Sequence, residues 1–358
     1  MVPQLSHDQR RTARQADTAL AIDAEDVHVT YDDGTEAVRG VDLAVPEGEF
    51  FGFLGPNGAG KTTTIKTLVT LLHPTEGSVS INGYDTRTES QAVRESLGYM
   101  AQETSIDLEL TPRENLRVAC NVYGVPADER DERIDDLLDL VDLQDVADKR
   151  AETFSGGMQK RLDTATVLVH RPPVVFLDEP TTGLDPEARR RVWAYIEHIN
   201  DNGTTVFLTT QYLEEADALC DRLAVLEDGQ IIAEGTPEAL KTAVGTETLR
   251  LDLETPTDRQ KRRAAETVRG VDSLDVAAVE TTPDGLVVET PDARVATSDI
   301  FAAFAAADIA VNGFDVDAPT LDDVFLSLTG DDAAGTDHSG TTETERDAAA
   351  VAPQGVSR

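Results

Sequence analysis

Apolar residues along the chain recur in two patterns. Continuous apolar runs at 50–54, 174–177 and 206–208 are typical of strands buried on both faces. Residues 111–150 instead carry apolar residues at helical spacing, and Thr111, followed by proline and then by glutamate, has the composition of a helix capping box. Because buried runs and helical patterns alternate, the sequence predicts an α/β fold with a parallel sheet.

The region before the first apolar run has a different pattern. Short β-rich stretches at 21–24, 27–31 and 37–43 predict strands, and the Asp-Asp-Gly sequence at 32–34 predicts a hairpin turn. Residues 78–83 alternate between apolar and polar side chains, which predicts one further strand.

A change in composition near residue 245 predicts a second, smaller domain at 245–330. Its predicted elements are strand 248–254, helix 257–269, strands 274–280 and 285–290, helix 298–308, strand 310–316 and helix 320–329. This order resembles a ferredoxin-like α+β arrangement. Residues 1–18 are polar and residues 331–358 form an acidic tail with little to bury, so we expect both segments to be disordered.

Composition narrows the possible partners. The 358 residues carry a formal net charge of −37, from 31 basic and 68 acidic residues, which argues against nucleic acid as a main partner. Such acidity resembles that of proteins from a high-salt cytoplasm, where ions screen self-repulsion. Cys120 and Cys220 form no metal-binding pair. We find no apolar stretch long enough to span a membrane, so a membrane role would require a partner.

The most informative motif follows the first apolar run. It is a phosphate-binding P-loop, formed by Gly55, Pro56, Asn57, Gly58, Ala59, Gly60, Lys61, Thr62 and Thr63. Its glycines allow backbone N–H groups to approach phosphate oxygens closely, and the helix that follows presents its positive end to the anion. Lys61 is predicted to reach the phosphates and Thr62 to hold Mg²⁺.

A second motif follows the apolar run at 174–177. Asp178 and Glu179 end this strand at the carboxyl edge of the predicted sheet, where ligands bind in open α/β folds. Asp178 is placed to hold Mg²⁺, and Glu179 is placed to polarise the water that attacks the γ-phosphate.

A third motif identifies the family. Ser155, Gly156 and Gly157, within Phe-Ser-Gly-Gly-Met-Gln-Lys-Arg-Leu, resemble the signature sequence of ABC (ATP-binding cassette) ATPases. Ser155 is expected to begin a helix whose glycines expose N–H groups to an anion. Met158 stands where the family usually has glutamine, but the Ser-Gly-Gly element is intact.

The resemblance implies roles for further residues. Tyr31 matches the aromatic residue that stacks on adenine, and Gln102 matches the glutamine that ligates Mg²⁺ and couples to the transport partner. Residues 180–186 match the D-loop, with Asp185 at the dimer interface. Gln211 occupies the position of the usual switch histidine, in a switch segment at 209–211. It can donate a hydrogen bond to the γ-phosphate but cannot become a cation.

The resemblance extends from about residue 20 to 330 and implies the whole architecture. It is a P-loop NTPase cassette at 19–244, with a RecA-like parallel sheet core, an antiparallel β subdomain and a helical subdomain at about 103–165, plus the small α+β domain. The sequence from 210 to 217 and the Pro-Thr-Leu-Asp-Asp-Val-Phe sequence at 319–325 resemble the antibiotic-resistance exporter subgroup typified by daunorubicin export.

This resemblance implies that two copies of the cassette sandwich two ATP molecules, with Mg²⁺, and hydrolyse them. Each site would pair residues 55–63 of one chain with residues 155–157 of the other. ATP hydrolysis would drive transport through a separate membrane-spanning permease. The chain would then lie at the cytoplasmic face of the cell membrane. The alternatives are a soluble ABC ATPase of protein-complex assembly, for example in iron–sulfur cluster biogenesis, and an ABC ATPase acting on ribosomes or DNA. The second domain disfavours the former, and the acidity together with the single cassette disfavours the latter.

Overall fold

The computed structural model describes residues 19–245, 247–254, 256–271, 278–290 and 293–329. The predictions of disorder at 1–18 and 331–358 lie outside the described residues. The first part of the strand predicted at 274–280 also lies outside them.

The strands of the described residues are numbered in chain order. They are β1 (Leu20–Thr30), β2 (Glu36–Pro46), β3 (Phe50–Leu54), β4 (Glu76–Ile81), β5 (Tyr84–Asp85), β6 (Leu97–Met100), β7 (Val174–Asp178), β8 (Thr205–Thr210), β9 (Arg222–Glu227), β10 (Gln230–Gly235), β11 (Glu247–Leu253), β12 (Ala278–Thr281), β13 (Gly285–Thr290) and β14 (Val311–Asp317).

The α-helices are numbered in the same way. They are α1 (Lys61–Leu68), α2 (Ser90–Glu95), α3 (Pro112–Val122), α4 (Arg130–Leu140), α5 (Gly156–Val167), α6 (Pro186–Asp201), α7 (Leu213–Leu219), α8 (Pro237–Val244), α9 (Asp258–Arg269), α10 (Ala293–Ala306) and α11 (Leu321–Thr329). Short 3₁₀ helices lie at Gln144–Val146 and Ala151–Thr153.

The central sheet has six strands in the order β10-β9-β3-β8-β7-β6. All neighbours from β9 to β6 are parallel, and β10 pairs with β9 in the antiparallel sense. The predicted parallel α/β core is therefore confirmed. The buried strands β3 and β7 both point their carboxyl ends to one edge, where the P-loop and Asp178 lie.

A separate antiparallel sheet, in the order β2-β1-β4-β5, covers one side of this core. The prediction of two strands at 21–24 and 27–31 is wrong in detail, because β1 is continuous and contains a bulge. At the bulge Asp26 adopts a φ of 48°, and its backbone N–H donates to Asp42 Oδ1 at 2.9 Å. The Asp-Asp-Gly turn before β2 has the positive φ that glycine supplies, 85° at Gly34.

The helical region contains the predicted capping box. The Thr111 hydroxyl accepts from the Glu114 N–H, and the Glu114 carboxylate accepts from the Thr111 N–H at 2.9 Å. The predicted apolar positions of α4 and the turn after it are buried, namely Ile134, Leu137, Leu138 and Val141. They pack with α3 and α5, so the helical subdomain has an apolar core.

The smaller α+β unit has the sheet order β12-β13-β11-β14, with every neighbouring pair antiparallel. This is the order expected of the predicted split βαβ arrangement. Helix α10 begins at Ala293, five residues before the predicted start at 298, because residues 293 and 296 also belong to its buried face. Helix α11 instead packs against α7 and α8 of the cassette, where Leu321 and Val324 are buried.

Two apolar cores lie on opposite faces of the six-stranded sheet. One contains the antiparallel sheet and α1, and the aromatic rings of Phe51, Phe53 and Phe176 surround Phe207 there, with centroids 5.5–5.6 Å from its own. The other contains the helical subdomain, α6, α7, α8 and α11. The predicted nucleotide motifs lie along the sheet edge between these cores.

Candidate nucleotide-binding site

The P-loop joins β3 to α1 in a conformation that requires glycine at two positions. A Cβ on Gly55 would lie 2.4 Å from the Leu226 carbonyl oxygen, and one on Gly60 would lie 2.5 Å from the Ala37 carbonyl oxygen. Gly60 also has a φ of 108° and is the N-cap of α1. Helix α1 therefore begins directly at Lys61, with its N-terminal N–H groups facing the loop.

Lys61 is held inside this loop. Its Nζ donates to the carbonyl oxygens of Gly55 at 2.7 Å and Pro56 at 3.1 Å, and it lies 3.8 Å from Glu179 Oε1. Burial lowers the pKa of the Lys61 ammonium, and the charges of Glu179 and Asp178 oppose that shift. The cation is thus already directed at the acidic end of β7.

Asp178 and Glu179 occupy the position predicted for them. Asp178 is buried at the end of β7, and its Oδ1 accepts a short hydrogen bond from the Thr209 hydroxyl on the neighbouring strand. Its Oδ2 is buried and has no hydrogen-bond partner among the described residues. A buried carboxylate oxygen without a donor fits a cation ligand, so the acidic end of β7 fits Mg²⁺.

The backbone at Glu179 is held in an uncommon conformation. Its φ is 51°, and its N–H lies 3.1 Å from both the carbonyl oxygen and the hydroxyl oxygen of Thr209. The Glu179 Oε2 accepts from Gln102 Nε2 and from the Thr182 hydroxyl, each at 3.2 Å. Lys61, Gln102 and Thr182 therefore surround one carboxylate.

Helix α5 fixes the segment that carries Gln102. Lys160 Nζ donates to the Gln102 carbonyl oxygen at 2.8 Å, and the buried Asp163 carboxylate accepts from the Ser105 hydroxyl at 2.5 Å. Burial lowers the pKa of the Lys160 ammonium and raises the pKa of the Asp163 carboxyl. The two residues lie one helical turn apart and bind both ends of the segment 102–105.

Tyr31 lies at the other end of the P-loop. Its hydroxyl is 2.9 Å from Thr63 Oγ1, and the side chain is 41% exposed. An exposed ring beside the loop is available to stack on a planar base.

The signature residues belong to a separate surface of the same chain. The Ser155 hydroxyl caps α5 by accepting from the Met158 N–H at 3.3 Å, as predicted. Ser155 and Gly156 are exposed, and Gly157 is buried, with its Cα so close to α6 that an added Cβ would lie 2.9 Å from Ala188 Cβ. Asp185 caps α6 by accepting from two backbone N–H groups.

Gln211 follows β8 and is exposed. The structure places it two residues after Thr209, the residue that contacts both Asp178 and the Glu179 backbone. The predicted site residues thus divide into a contacting group around Lys61 and Glu179 and an outward-facing group around Ser155.

Sequence reasoning placed Thr182, Lys160 and Thr209 in the D-loop, signature and switch motifs but did not predict the contacts by which they support the group around Lys61 and Glu179. A signal existed for Thr209, because it lies one residue before the end of β8, the buried strand adjacent to β7, and pairs with Asp178 in the parallel register. The other two contacts depend on how loops and α5 are placed in space.

The fold and the site together define an ATP-binding cassette of the ABC class. Residues 38–182 match the family model for the ABC transporter, and residues 235–329 match that for the C-terminal domain of ATP-binding proteins like DrrA1-3. The chain belongs to the family of ABC-transporter ATP-binding proteins with this DrrA-type C-terminal domain. Such a cassette hydrolyses ATP to power transport, and the chain is the ATPase subunit of an exporter.

The similarity to individual relatives extends over most of the chain. It is 40% identical over 297 residues, covering 83% of this chain and 89% of the relative, to the daunorubicin/doxorubicin resistance ATP-binding protein DrrA of Streptomyces peucetius. It is 41% identical to DrrA3 of Streptomyces coeruleorubidus, covering 88% of this chain and 98% of the relative. A Nod factor export ATP-binding protein of Burkholderia thailandensis is 42% identical over 61% of this chain and 72% of its own length.

Solved structures support the cassette alone. An ATP-binding subunit of an ABC transporter superimposes with a TM-score of 0.57 at 30% identity, covering 62% of this chain and 92% of that one. The dimeric cassette MJ0796, bound to ADP and Pi in a post-hydrolysis state, superimposes with a TM-score of 0.56 at 28% identity. The match covers 60% of this chain and 98% of that one. Among the described residues, no helix is both long and apolar enough to cross a membrane.

Proposed function

We propose that the chain energises a drug-type efflux exporter through a site formed by Lys61, Gln102, Asp178 and Glu179 and completed by a second copy of the chain. The carrying observation is the convergence of these groups at the carboxyl edge of the sheet, with Asp178 Oδ2 buried and without a donor among the described residues. That arrangement fits a nucleotide triphosphate with its magnesium ion.

In this proposal the backbone N–H groups of residues 55–60 and the Lys61 ammonium bind the phosphates of ATP. Thr62, Gln102 and Asp178 would hold Mg²⁺, which supplies neutralisation of the phosphate charge. Tyr31 would stack on the adenine.

Glu179 would accept a hydrogen bond from the attacking water. Its carboxylate already lies 3.8 Å from Lys61 and is oriented by Gln102 and Thr182, so the water would be fixed opposite the γ-phosphate. Gln211 would donate a hydrogen bond to the γ-phosphate. Because an amide does not titrate near neutral pH, this step would not depend on protonation of the switch residue.

The remaining predicted residues would act across a dimer. Ser155 and Gly156 are exposed at the N-terminus of α5, where N–H groups are free to bind an anion from a partner copy. Asp185, at the N-terminus of α6, would lie at the same interface. Two copies would then bind two ATP molecules, each between residues 55–63 of one chain and residues 155–157 of the other.

The names of the relatives support a proposal about the transported substrate. Two of them are named for daunorubicin resistance, and they share the C-terminal domain matched at 235–329, so we propose export of antibiotic-like small molecules through a separate permease. The chain would lie at the cytoplasmic face of the membrane, bound to that permease. The acidic composition supports a high-salt cytoplasm.

The test measures nucleotide-dependent dimerisation of the full chain by light scattering after gel filtration. Glu179→Gln should trap a dimer with ATP and Mg²⁺, because closure proceeds and hydrolysis does not. Lys61→Ala should neither dimerise nor hydrolyse ATP. Glu197→Gln, an exposed carboxylate on α6, is the matched control and should behave like the wild type. A monomeric Glu179→Gln chain that binds ATP would contradict the two-copy site.

Purification of the chain from membranes in high salt should recover a multi-span permease, and its absence would contradict the export role.

A further inference from the structure

Helix α7, which directly follows the switch segment, carries a carboxylate with no part in the proposed chemistry. Glu215 is fully buried, and its Oε1 accepts from the Thr181 hydroxyl at 2.8 Å and from Trp193 Nε1 at 2.8 Å. One oxygen atom therefore receives two hydrogen bonds inside the protein.

The two donors come from different parts of the site. Thr181 lies in the D-loop segment, two residues after Glu179. Trp193 lies on α6, the helix that Asp185 caps. Glu215 itself lies four residues after Gln211. Its carboxylate therefore joins the D-loop segment and α6 to α7, the helix that begins two residues after the switch segment.

A second contact joins the same elements. The Arg189 guanidinium lies over the Tyr212 ring, 4.5 Å from its centroid, and its Nη1 lies 3.8 Å from Glu214 Oε2. Arg189 and Trp193 are four residues apart, so they project from the same face of α6 toward the start of α7. Two adjacent turns of α6 thus hold the residues that follow Gln211.

A carboxylate buried at this position carries a desolvation cost. Burial raises the pKa of the Glu215 carboxyl, and its hydrogen bonds oppose that shift only in part. An apolar side chain of similar volume would avoid the desolvation cost. The gain that a carboxylate offers here is directional, because it holds two donors from separate segments in fixed positions.

We propose that Glu215 is a positioning residue that couples the switch segment to the D-loop segment. A change at the γ-phosphate sensed by Gln211 would move α7, and Glu215 would transmit that movement to Thr181 and through Trp193 to α6. The inference rests on the site proposed above. It predicts that a substitution can remove the hydrogen bond between Thr181 and Glu215 without removing any group that contacts ATP.

Trp193 makes this link directly observable, because it is the single tryptophan of the 358 residues. ATP binding to the full-length chain should change its emission. Thr181→Val removes the hydroxyl donor but leaves the bond between Trp193 and Glu215, so the emission at rest should be retained. We expect the ATP-induced emission change to be lost and kcat for ATP hydrolysis to fall about five- to tenfold, with ATP affinity within about twofold of wild type.

Two substitutions at Glu215 complete the test. Glu215→Gln keeps an oxygen that can accept both hydrogen bonds, so it should retain most of the wild-type kcat, whereas Glu215→Ala should not. Glu238→Gln, an exposed carboxylate on α8, is the matched control and should leave kcat and emission unchanged. Wild-type kcat and a retained emission change in Thr181→Val would overturn the inference. A wild-type chain that fails to bind or hydrolyse ATP would instead contradict the proposed function.

Discussion

Gly156 allows the stability of the chain to be separated from the function of its signature segment. The residue is exposed at the first position of α5, and a Cβ added there would meet only Leu184 Cδ2, at 3.9 Å. That distance is ordinary van der Waals contact. Within the described part of the chain, packing therefore does not require glycine at position 156.

We expect Gly156→Ala to fold at least as stably as the wild type. Alanine restricts the unfolded chain and favours helix, which together stabilise by about 0.4–1 kcal/mol where the backbone is compatible. In the proposed two-copy site, the same methyl group would project toward the partner's nucleotide. Because a displacement of about 1 Å at a reacting group can cost about 10²-fold in rate, we expect kcat to fall by about that factor.

The assay pairs urea unfolding with ATP turnover on the same preparations. Gly157→Ala provides the contrast, since its Cβ would lie 2.9 Å from Ala188 Cβ and should destabilise the chain by displacing α6. The reasoning is refuted if Gly156→Ala retains wild-type turnover. It is equally refuted if Gly156→Ala loses stability, because the glycine would then be a packing requirement.

Four further predictions concern the supporting structure. Asp163→Asn should weaken the hydrogen bond from the Ser105 hydroxyl and lower kcat about fivefold, without a loss of ATP affinity in equilibrium binding. Val324→Ala should lower the free energy of unfolding by about 2 kcal/mol in urea titrations, because this buried side chain joins α11 to the cassette. The raised pKa of Glu215 means that the folded chain binds its proton more tightly than the unfolded chain. The contribution of Glu215 to stability should therefore fall as pH rises above the ordinary glutamate pKa, and the stability of Glu215→Gln relative to wild type should rise over the same range. The net charge of −37 predicts a higher urea midpoint in 2 M than in 0.1 M KCl, and an unchanged or lower midpoint would contradict it.

The parts of the site that could be predicted from sequence are those set by local chemistry. A buried strand followed by Gly-x-x-x-x-Gly-Lys-Thr dictates a loop that only glycine can form, and the close approach at Gly55 and Gly60 shows why. The strand before Asp178 is likewise a local pattern. Ser155 and Thr111 are helix caps for the same reason, since both their hydroxyls and the N–H groups they accept from lie within four residues.

The parts that could not be predicted depend on contacts between distant segments. Lys160 reaches a carbonyl oxygen 58 residues earlier in the chain, and Thr181 donates to a carboxylate 34 residues later. Both residues lie in motifs that the sequence reveals, but neither motif predicts which distant atom its side chain contacts. The bulge at Asp26 was missed because its left-handed φ depends on a hydrogen bond to Asp42 on the neighbouring strand.

The division of the apolar cores suggests what the C-terminal unit is connected to. Leu321 and Val324 of α11 belong to the same core as the helical subdomain and α7, whereas the P-loop helix α1 belongs to the core on the opposite face of the sheet. A tightly packed core transmits displacement better than a surface loop. The C-terminal unit is therefore attached to the half of the cassette that carries the signature and switch segments. A partner that moved this unit would act on α7, and hence on Glu215, before it acted on the phosphate-binding loop.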